Sequence, residues 1–219
     1  MIPLNGGITL FEGHKKPAAG ARLRAMSVAL TVTPPLIFLL AGCASIFGWD
    51  IHAPGVLSSN FPQLVQPTHE RLALYVMPEV LNYESRDKGS WSADPQTYHV
   101  GEAFGPMLIE GFQNGFDEFI FLETAPTPQI LKRYGINRLA VVRIAGFKNL
   151  VTMKGQALAF ITETAVFDQE MKPLGRFESR GSSESEKIFA KKGGPEVNLN
   201  ATIENNVRAI VQHLQDVRA

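Results

Sequence analysis

The chain has 219 residues, of which 45% are hydrophobic and 19% are charged, the composition of an ordinary globular protein. Its 21 basic residues balance 21 acidic ones. This balance argues against a nucleic-acid-binding protein, which usually carries a basic excess. The single cysteine, Cys43, excludes an intrachain disulfide and a zinc site built from several cysteines.

The first predicted element is a signal peptide at residues 1–42, in which residues 1–20 form an unusually long N-terminal extension and Met26 is an alternative start. Arg22 and Arg24 precede an apolar run of about 17 residues, from 25 to 41, which contains two consecutive prolines. That length is the lower limit for crossing a hydrocarbon core of ~30 Å. A charged start, a short apolar run and an exit through small residues are typical of a secretory signal.

The apolar run ends in Leu40-Ala41-Gly42-Cys43. This sequence resembles the lipobox of bacterial lipoprotein precursors at each of its four positions. The resemblance implies cleavage between Gly42 and Cys43, diacylglycerol on the Cys43 sulfur and acylation of the new amino terminus. Two or three acyl chains anchor a protein stably. Because alanine rather than aspartate follows the cysteine, the resemblance favours an outer-membrane lipoprotein that faces the periplasm.

Residues 43–70 are predicted to form a lipidated tether. The segment contains several prolines, glycines and serines and shows no sustained helical or alternating period. It also carries more apolar side chains than a freely solvated linker would. We therefore expect part of it to pack on the domain or on a partner.

The periplasmic domain is predicted at residues 71–219, beginning with a strand at 71–77. A loop is predicted over residues 79–98. The helix at residues 101–116 follows, because the apolar residues Phe104, Leu108, Phe112 and Phe116 are spaced by four. Its glycines predict close packing of this helix on a sheet.

A strand at residues 119–122 and a short helix at 128–134 come next. Three strands then follow at 137–151, 156–168 and 174–182. Connections as short as those between these three strands permit only antiparallel hairpins. The sequence therefore predicts a three-strand meander.

The last predicted element is a helix that begins near residue 198 or 200. Its apolar side chains share one face: Leu199, Ile203, Val207, Ile210, Val211, Leu214 and Val217. The order of elements predicts an α+β domain in which a mixed sheet, including the antiparallel meander, carries helices mainly on one face.

Alternation along the meander predicts a face that the helices leave open. Apolar patches of this kind usually mark a partner or oligomer surface. The predicted interaction face consists of Leu139, Val141, Arg143, Phe147, Ile161, Glu163 and Phe167.

The register of the first hairpin follows from its turn. A three-residue loop at 152–154, with Gly155 supplying a positive φ, places Arg143 opposite Glu163. The same register places Phe147 opposite Ala159. One ion pair would then lie within an otherwise apolar face.

No catalytic, cofactor-binding or metal site is predicted. The five histidines include no pair at the helical spacing of a metal site, and the sequence contains no nucleophile elbow, P-loop or calcium loop. Asp94 and His99 share the predicted loop, which leaves an envelope hydrolase open as a minor alternative.

The element order resembles that of small outer-membrane lipoproteins of the YajG and LptE-like kind. The resemblance includes the strand at residues 71–77, the helix entry Val100-Gly101-Glu102-Ala103 and the turn at 167–177. Transport-auxiliary and ring-forming exopolysaccharide lipoproteins share this general plan.

This resemblance implies a non-enzymatic accessory or docking component of an envelope assembly or transport complex. A self-associating structural lipoprotein, forming a ring or scaffold, is the alternative. The expected partners are an envelope protein complex or further copies of the chain, and the membrane itself through the lipid on Cys43. No nucleic acid is expected as a partner.

Overall fold

The computed structural model describes residues 48–87, 95–152, 155–185 and 194–216. The strands are β1 (Trp49–Ile51), β2 (Thr68–Val76), β3 (Ser85–Asp87), β4 (Gln96–Tyr98), β5 (Phe116–Leu122), β6 (Arg138–Thr152), β7 (Gly155–Asp168) and β8 (Pro173–Ser185). The helices are α1 (Phe61–Leu64), α2 (Pro78–Leu81), α3 (Val100–Gly115), α4 (Pro128–Arg133) and α5 (Pro195–Asp216). Within the described ranges, no helix has the length and apolar character needed to cross a membrane.

The larger sheet contains five strands in the order β5-β2-β6-β7-β8. β2 runs parallel to both of its neighbours, and the long connection through α3 to β5 allows that arrangement. β6, β7 and β8 form an antiparallel meander. The predicted α+β fold with a mixed sheet is therefore confirmed.

α3 and α5 cover one face of this sheet. Because side chains alternate along a strand, Leu72 and Leu74 of β2 and Ala140 and Val142 of β6 enter the core on that side. The predicted apolar stripe of α5 is confirmed over its described length, and Val217 lies outside it. The stripe residues that are fully buried are Leu199, Ile203, Val207, Ile210, Val211 and Leu214.

α3 and α5 also pack closely against each other. A β-carbon added at Gly111 would lie 2.4 Å from Cγ1 of Val207, and one at Gly115 would lie 2.4 Å from Cγ1 of Val211. The four-residue spacing places both glycines on the same side of α3. At these two positions the prediction of helix-on-sheet packing is corrected, because the glycines make room for a second helix.

α4 lies on the opposite face of the sheet. Leu131 of α4 and Ile136 form a small buried cluster with Ala73, Leu122 and Leu139 from three neighbouring strands. The helices are thus mainly on one face, and α4 covers the start of β6 on the other face.

A second sheet has the order β1-β4-β3, with β1 parallel to β4 and β4 antiparallel to β3. The predicted loop at residues 79–98 is therefore corrected, since it contains β3, β4 and part of α2. Each strand of this sheet has three residues, which is too few for alternation to appear in the sequence.

The small sheet packs against the hairpin end of β6 and β7. The ring of Tyr98 lies 5.1 Å from that of Phe147. The Tyr98 hydroxyl donates to Oε1 of Gln96 at 2.6 Å and accepts from Nε2 of Gln156 at 2.5 Å. Burial, together with the Asp87 carboxylate, raises the pKa of Tyr98, so the hydroxyl keeps its proton and remains a donor.

The first described segment, which lies within the predicted tether, packs against α3 and α5. Ile51, Leu57, Phe61 and Val65 all belong to the main core. The side chain of Asn200 on α5 accepts from the N–H of Gly55 at 3.1 Å. This part of the segment is therefore built into the domain.

Candidate functional site

The open face is the side of the β6-β7-β8 meander that α3 and α5 do not cover. Strand alternation determines which side chains project there, since their neighbours along each strand enter the core. The open face consists of Val141, Arg143, Ile161, Glu163, Ala165, Arg176, Glu178 and Arg180.

An ion pair occupies the centre of the open face. Nε and Nη2 of Arg143 donate to Oε1 and Oε2 of Glu163 at 2.9 and 2.7 Å. Nε of Arg176 lies 3.1 Å from Oε1 of the same carboxylate. The hydrogen bond from Arg143 lowers the pKa of Glu163, and the same bond raises the pKa of Arg143. Both side chains are therefore charged at neutral pH.

The predicted pairing of Arg143 with Glu163 is confirmed, although the predicted hairpin loop is wrong. Thr152 pairs with Gly155, so the loop is one residue shorter than the three residues expected. An extra residue in β6, at Ala145, restores the register farther along the strand. The two differences cancel at Arg143.

The bulge at Ala145 also changes the face on which Phe147 lies. Gly146 pairs with Ile161, and Phe147 pairs with Phe160 rather than with Ala159 as predicted. Phe147 consequently packs towards the main core. Its place in the predicted interaction face is corrected, because the inserted residue reverses the alternation.

α4 limits the open face at the other end of β6. Leu139 is fully buried in the cluster beneath α4, which corrects its assignment to the predicted interaction face. Val141 and Phe167 are partly buried against the same cluster. Ile161, another apolar residue of the predicted interaction face, is not part of this cluster and is partly exposed.

The third strand makes the open face more charged than the sequence analysis expected. Arg176 lies opposite Ala165, Glu178 opposite Glu163, and Arg180 opposite Ile161. The missed signal was the run of alternate polar residues along β8, which has the period of a strand with one solvent-facing side.

A depression of about 300 Å³ adjoins the open face near the hairpin end. Its lining includes Leu150 and Ala157 together with the charged side chains of Lys148, Arg180 and Glu184. Leu150 is 61% exposed and adds apolar surface at this end of the meander. This end of the meander therefore combines an apolar contact with charges of both signs.

Gly42, Cys43 and Asp94 lie outside the described residues. His99 lies 3.2 Å from a carboxylate oxygen of Glu84. A serine and a histidine do meet elsewhere, with Oγ of Ser179 at 3.1 Å from Nδ1 of His213. Ser179 is only 1% exposed, so a substrate carbonyl has no path to its hydroxyl in this arrangement.

In the described part of the chain, one group of three side chains could hold a metal ion. One ligand atom from each of His52, His99 and Glu102 lies within 4.8 Å of the others. A search by sequence spacing missed this group, because its two histidines directly follow two strands that are distant in the chain. The residues meet through the pairing of β1 with β4.

No family model and no curated protein matches this sequence. Solved structures with a similar fold include a hypothetical protein from Chlamydia trachomatis, with 9% identity, a TM-score of 0.45 and coverage of 68% of this chain and 96% of that chain. Lipoprotein GNA1162 from Neisseria meningitidis is 9% identical, with a TM-score of 0.34 and coverage of 67% and 99%. A PelC dodecamer from Paraburkholderia phytofirmans is 8% identical, with a TM-score of 0.35 and coverage of 65% and 89%.

Similar structures thus include a lipoprotein, GNA1162.

Proposed function

We propose that this chain is an outer-membrane lipoprotein, anchored through Cys43, that acts as a non-enzymatic docking component of an envelope assembly or transport complex. The anchor is supported by Leu40-Ala41-Gly42-Cys43 at the end of the apolar run. The docking role is supported by the open face.

One observation carries the docking role: among the described elements, no helix other than α4 covers this three-strand face. Ile161 lies there among the charges of Arg143, Glu163, Arg176 and Arg180. An apolar contact within a polar and charged surround is the usual layout of a non-obligate protein interface. We infer a protein partner whose surface offers an apolar contact to Ile161 and a carboxylate to Arg180, since Glu163 already contacts Arg143 and Arg176.

Charge complementarity on such a face selects the partner more than it strengthens binding. Rim charges raise the association rate and disfavour surfaces of the wrong sign. The lipid would confine the domain to the membrane surface, where its partner would be a protein of the same envelope. The structural alternative is a second copy of this chain on the same face.

The proposed role can be tested by site-specific photo-cross-linking in intact cells. A photoreactive amino acid replaces Arg180 on the open face or, as the control, Val197, which is 54% exposed on α5. We expect Arg180 to capture an envelope protein that Val197 does not, and Arg180→Glu to abolish capture from a reporter at Ile161. Fatty-acid labelling should tag the protein but not its Cys43→Ala variant.

Each other outcome contradicts a defined part of the proposal. Cross-links only between copies of the chain would replace the docking role with the self-associating scaffold. Equal capture from Arg180 and Val197 would refute the open face as the docking surface. A fatty-acid label that persists in Cys43→Ala would refute the anchor.

A further inference from the structure

We propose that His52, His99 and Glu102 form a binding site for a divalent transition-metal ion of the Zn²⁺ class. Two imidazoles and a carboxylate are a ligand set that zinc and its neighbours favour. The site is separate from the open face, and the proposal does not depend on the docking role.

The fold brings the two histidines together by strand pairing. β1 and β4 are parallel, with Ile51 opposite Tyr98, so the next residues, His52 and His99, leave the sheet side by side. The N–H of His99 donates to the carbonyl of Ile51 at 3.1 Å. The two imidazole rings are stacked, with centroids 4.1 Å apart and planes 7° apart. Glu102 joins them from the first turn of α3.

His99 is arranged as a metal-binding histidine would be. Its Nδ1 lies 3.2 Å from Oε1 of Glu84. A carboxylate on one ring nitrogen orients the imidazole and leaves the other nitrogen available as a ligand. That other nitrogen, Nε2, is buried and makes no hydrogen bond, and Oδ1 of Asp50 lies 3.5 Å away. Buried polar atoms normally have a hydrogen-bond partner, and a bound metal ion would give this nitrogen one.

His52 and Glu102 complete the ligand set. Nδ1 of His52 lies 2.7 Å from Oε2 of Glu102, where a single proton can link the two atoms. A dication would replace that proton and bind both side chains. Three carboxylates, from Asp50, Glu84 and Glu102, surround the two imidazoles, and this excess of negative charge suits a divalent cation.

The site is accessible and can adjust. The side chains of His52 and Glu102 are 54% and 63% exposed, and that of His99 is 22% exposed. The nitrogen lone pairs of the two stacked imidazoles lie in parallel ring planes. One ring must therefore tilt before a nitrogen of each ring can point at the same ion. The exposed His52 has the freedom to do this. A neighbouring depression of about 300 Å³, lined in part by Tyr83 and Asn82, leaves room for a water ligand.

The test is a titration of the protein, purified in detergent and stripped of metal, with ZnCl₂ in a calorimeter. We expect one Zn²⁺ per chain and a rise in the melting midpoint, because the ion binds the folded state. His52→Asn and Glu102→Gln should each weaken binding at least about tenfold. Glu84→Gln, which removes the orienting carboxylate, should weaken it by roughly 10- to 100-fold.

His69→Asn is the matched control, since the exposed His69 also faces a carboxylate, that of Asp117, outside the proposed site. It should bind Zn²⁺ as the wild type does. The proposal is overturned if the wild type does not reach one ion per chain, if His52→Asn and Glu102→Gln keep its affinity, or if His69→Asn loses it. Equal melting midpoints without metal will show that the variants at the exposed His52 and Glu102 remain folded.

Discussion

The pair formed by Arg143 and Glu163 shows what a single contact contributes on an exposed sheet face. The side chains are 53% and 20% exposed, and solvent and salt screen their attraction. The two parallel hydrogen bonds between Arg143 and Glu163 nevertheless require these residues to lie directly opposite each other. The pair therefore favours one strand register over its neighbours, since a slip by one residue would send each side chain to the other face.

Glu163→Gln tests the ionisation of this pair. Because Arg143 lowers the pKa of Glu163 in the folded state, the carboxylate stabilises the protein above its ordinary pKa of about 4.5. That stabilisation is lost as the pH falls through the lowered pKa. Glu163→Gln should melt below the wild type at pH 7, and the two midpoints should converge as the pH falls below 4.5.

Glu184→Gln on β8 is the control for the loss of one negative charge. Its midpoint should not show the same convergence with the wild type. A difference between Glu163→Gln and the wild type that is constant from pH 7 to pH 3 would contradict the assigned ion pair.

At the scale of elements, the contact of α5 with β8 is closer than ordinary helix-on-sheet packing. A β-carbon added at Gly181 would lie 2.1 Å from the carbonyl oxygen of Thr202 and 2.4 Å from the backbone nitrogen of Asn206. The Asn206 amide donates to the carbonyls of Phe160 and Ser179 at 3.2 and 3.0 Å. α5 is thus joined to β7 and β8 by hydrogen bonds that only a glycine at position 181 allows.

Gly181→Ala should therefore destabilise the domain. The added methyl group would meet helix backbone, which cannot rotate away, and overpacking of this kind costs about 1–3 kcal/mol or more. Gly175→Ala on the same strand is the control, because no atom lies within 4 Å of its added β-carbon. We expect its free energy of unfolding to stay within about 0.5 kcal/mol of the wild type. Equal losses in the two variants, measured by chemical denaturation, would contradict the close approach.

At the scale of the whole molecule, one core unites elements from both ends of the described chain. Ile51 and Phe61 from the first segment, Phe104 from α3 and Ile210 from α5 belong to the same buried cluster. Removing any one element would expose apolar surface on the others. The described part of the predicted tether is for this reason a structural part of the domain.

Ile210→Ala measures how much of the stability depends on that core. Ile210 is fully buried, and truncation of a buried isoleucine typically costs about 2–5 kcal/mol. The total free energy of unfolding of a domain is only about 5–15 kcal/mol. We expect a clear fall in the free energy of unfolding, and little change for Val197→Ala at an exposed position of the same helix. A melting midpoint unchanged by Ile210→Ala would mean that this face of α5 is not packed.

Local sequence patterns were sufficient to predict the long elements. The apolar stripe of α5 repeats over several turns, and β6, β7 and β8 are each more than ten residues long, so local sequence patterns predicted the helix and the three strands. Short connections then allowed only an antiparallel meander. The pairing of Arg143 with Glu163 was predicted correctly because two errors cancel. The predicted loop was one residue too long, and the predicted β6 lacked the bulge.

Which side chains share a site depends on the packing of distant elements. Phe147 does not lie on the predicted interaction face, because one inserted residue in β6 reverses the alternation of side chains. Leu139 is not exposed there, because α4 covers it. His52 and His99 are brought together by the pairing of two three-residue strands. Alternation and helical period depend on near neighbours in the chain, whereas bulges, covering helices and the pairing of short distant strands depend on packing that no local pattern records.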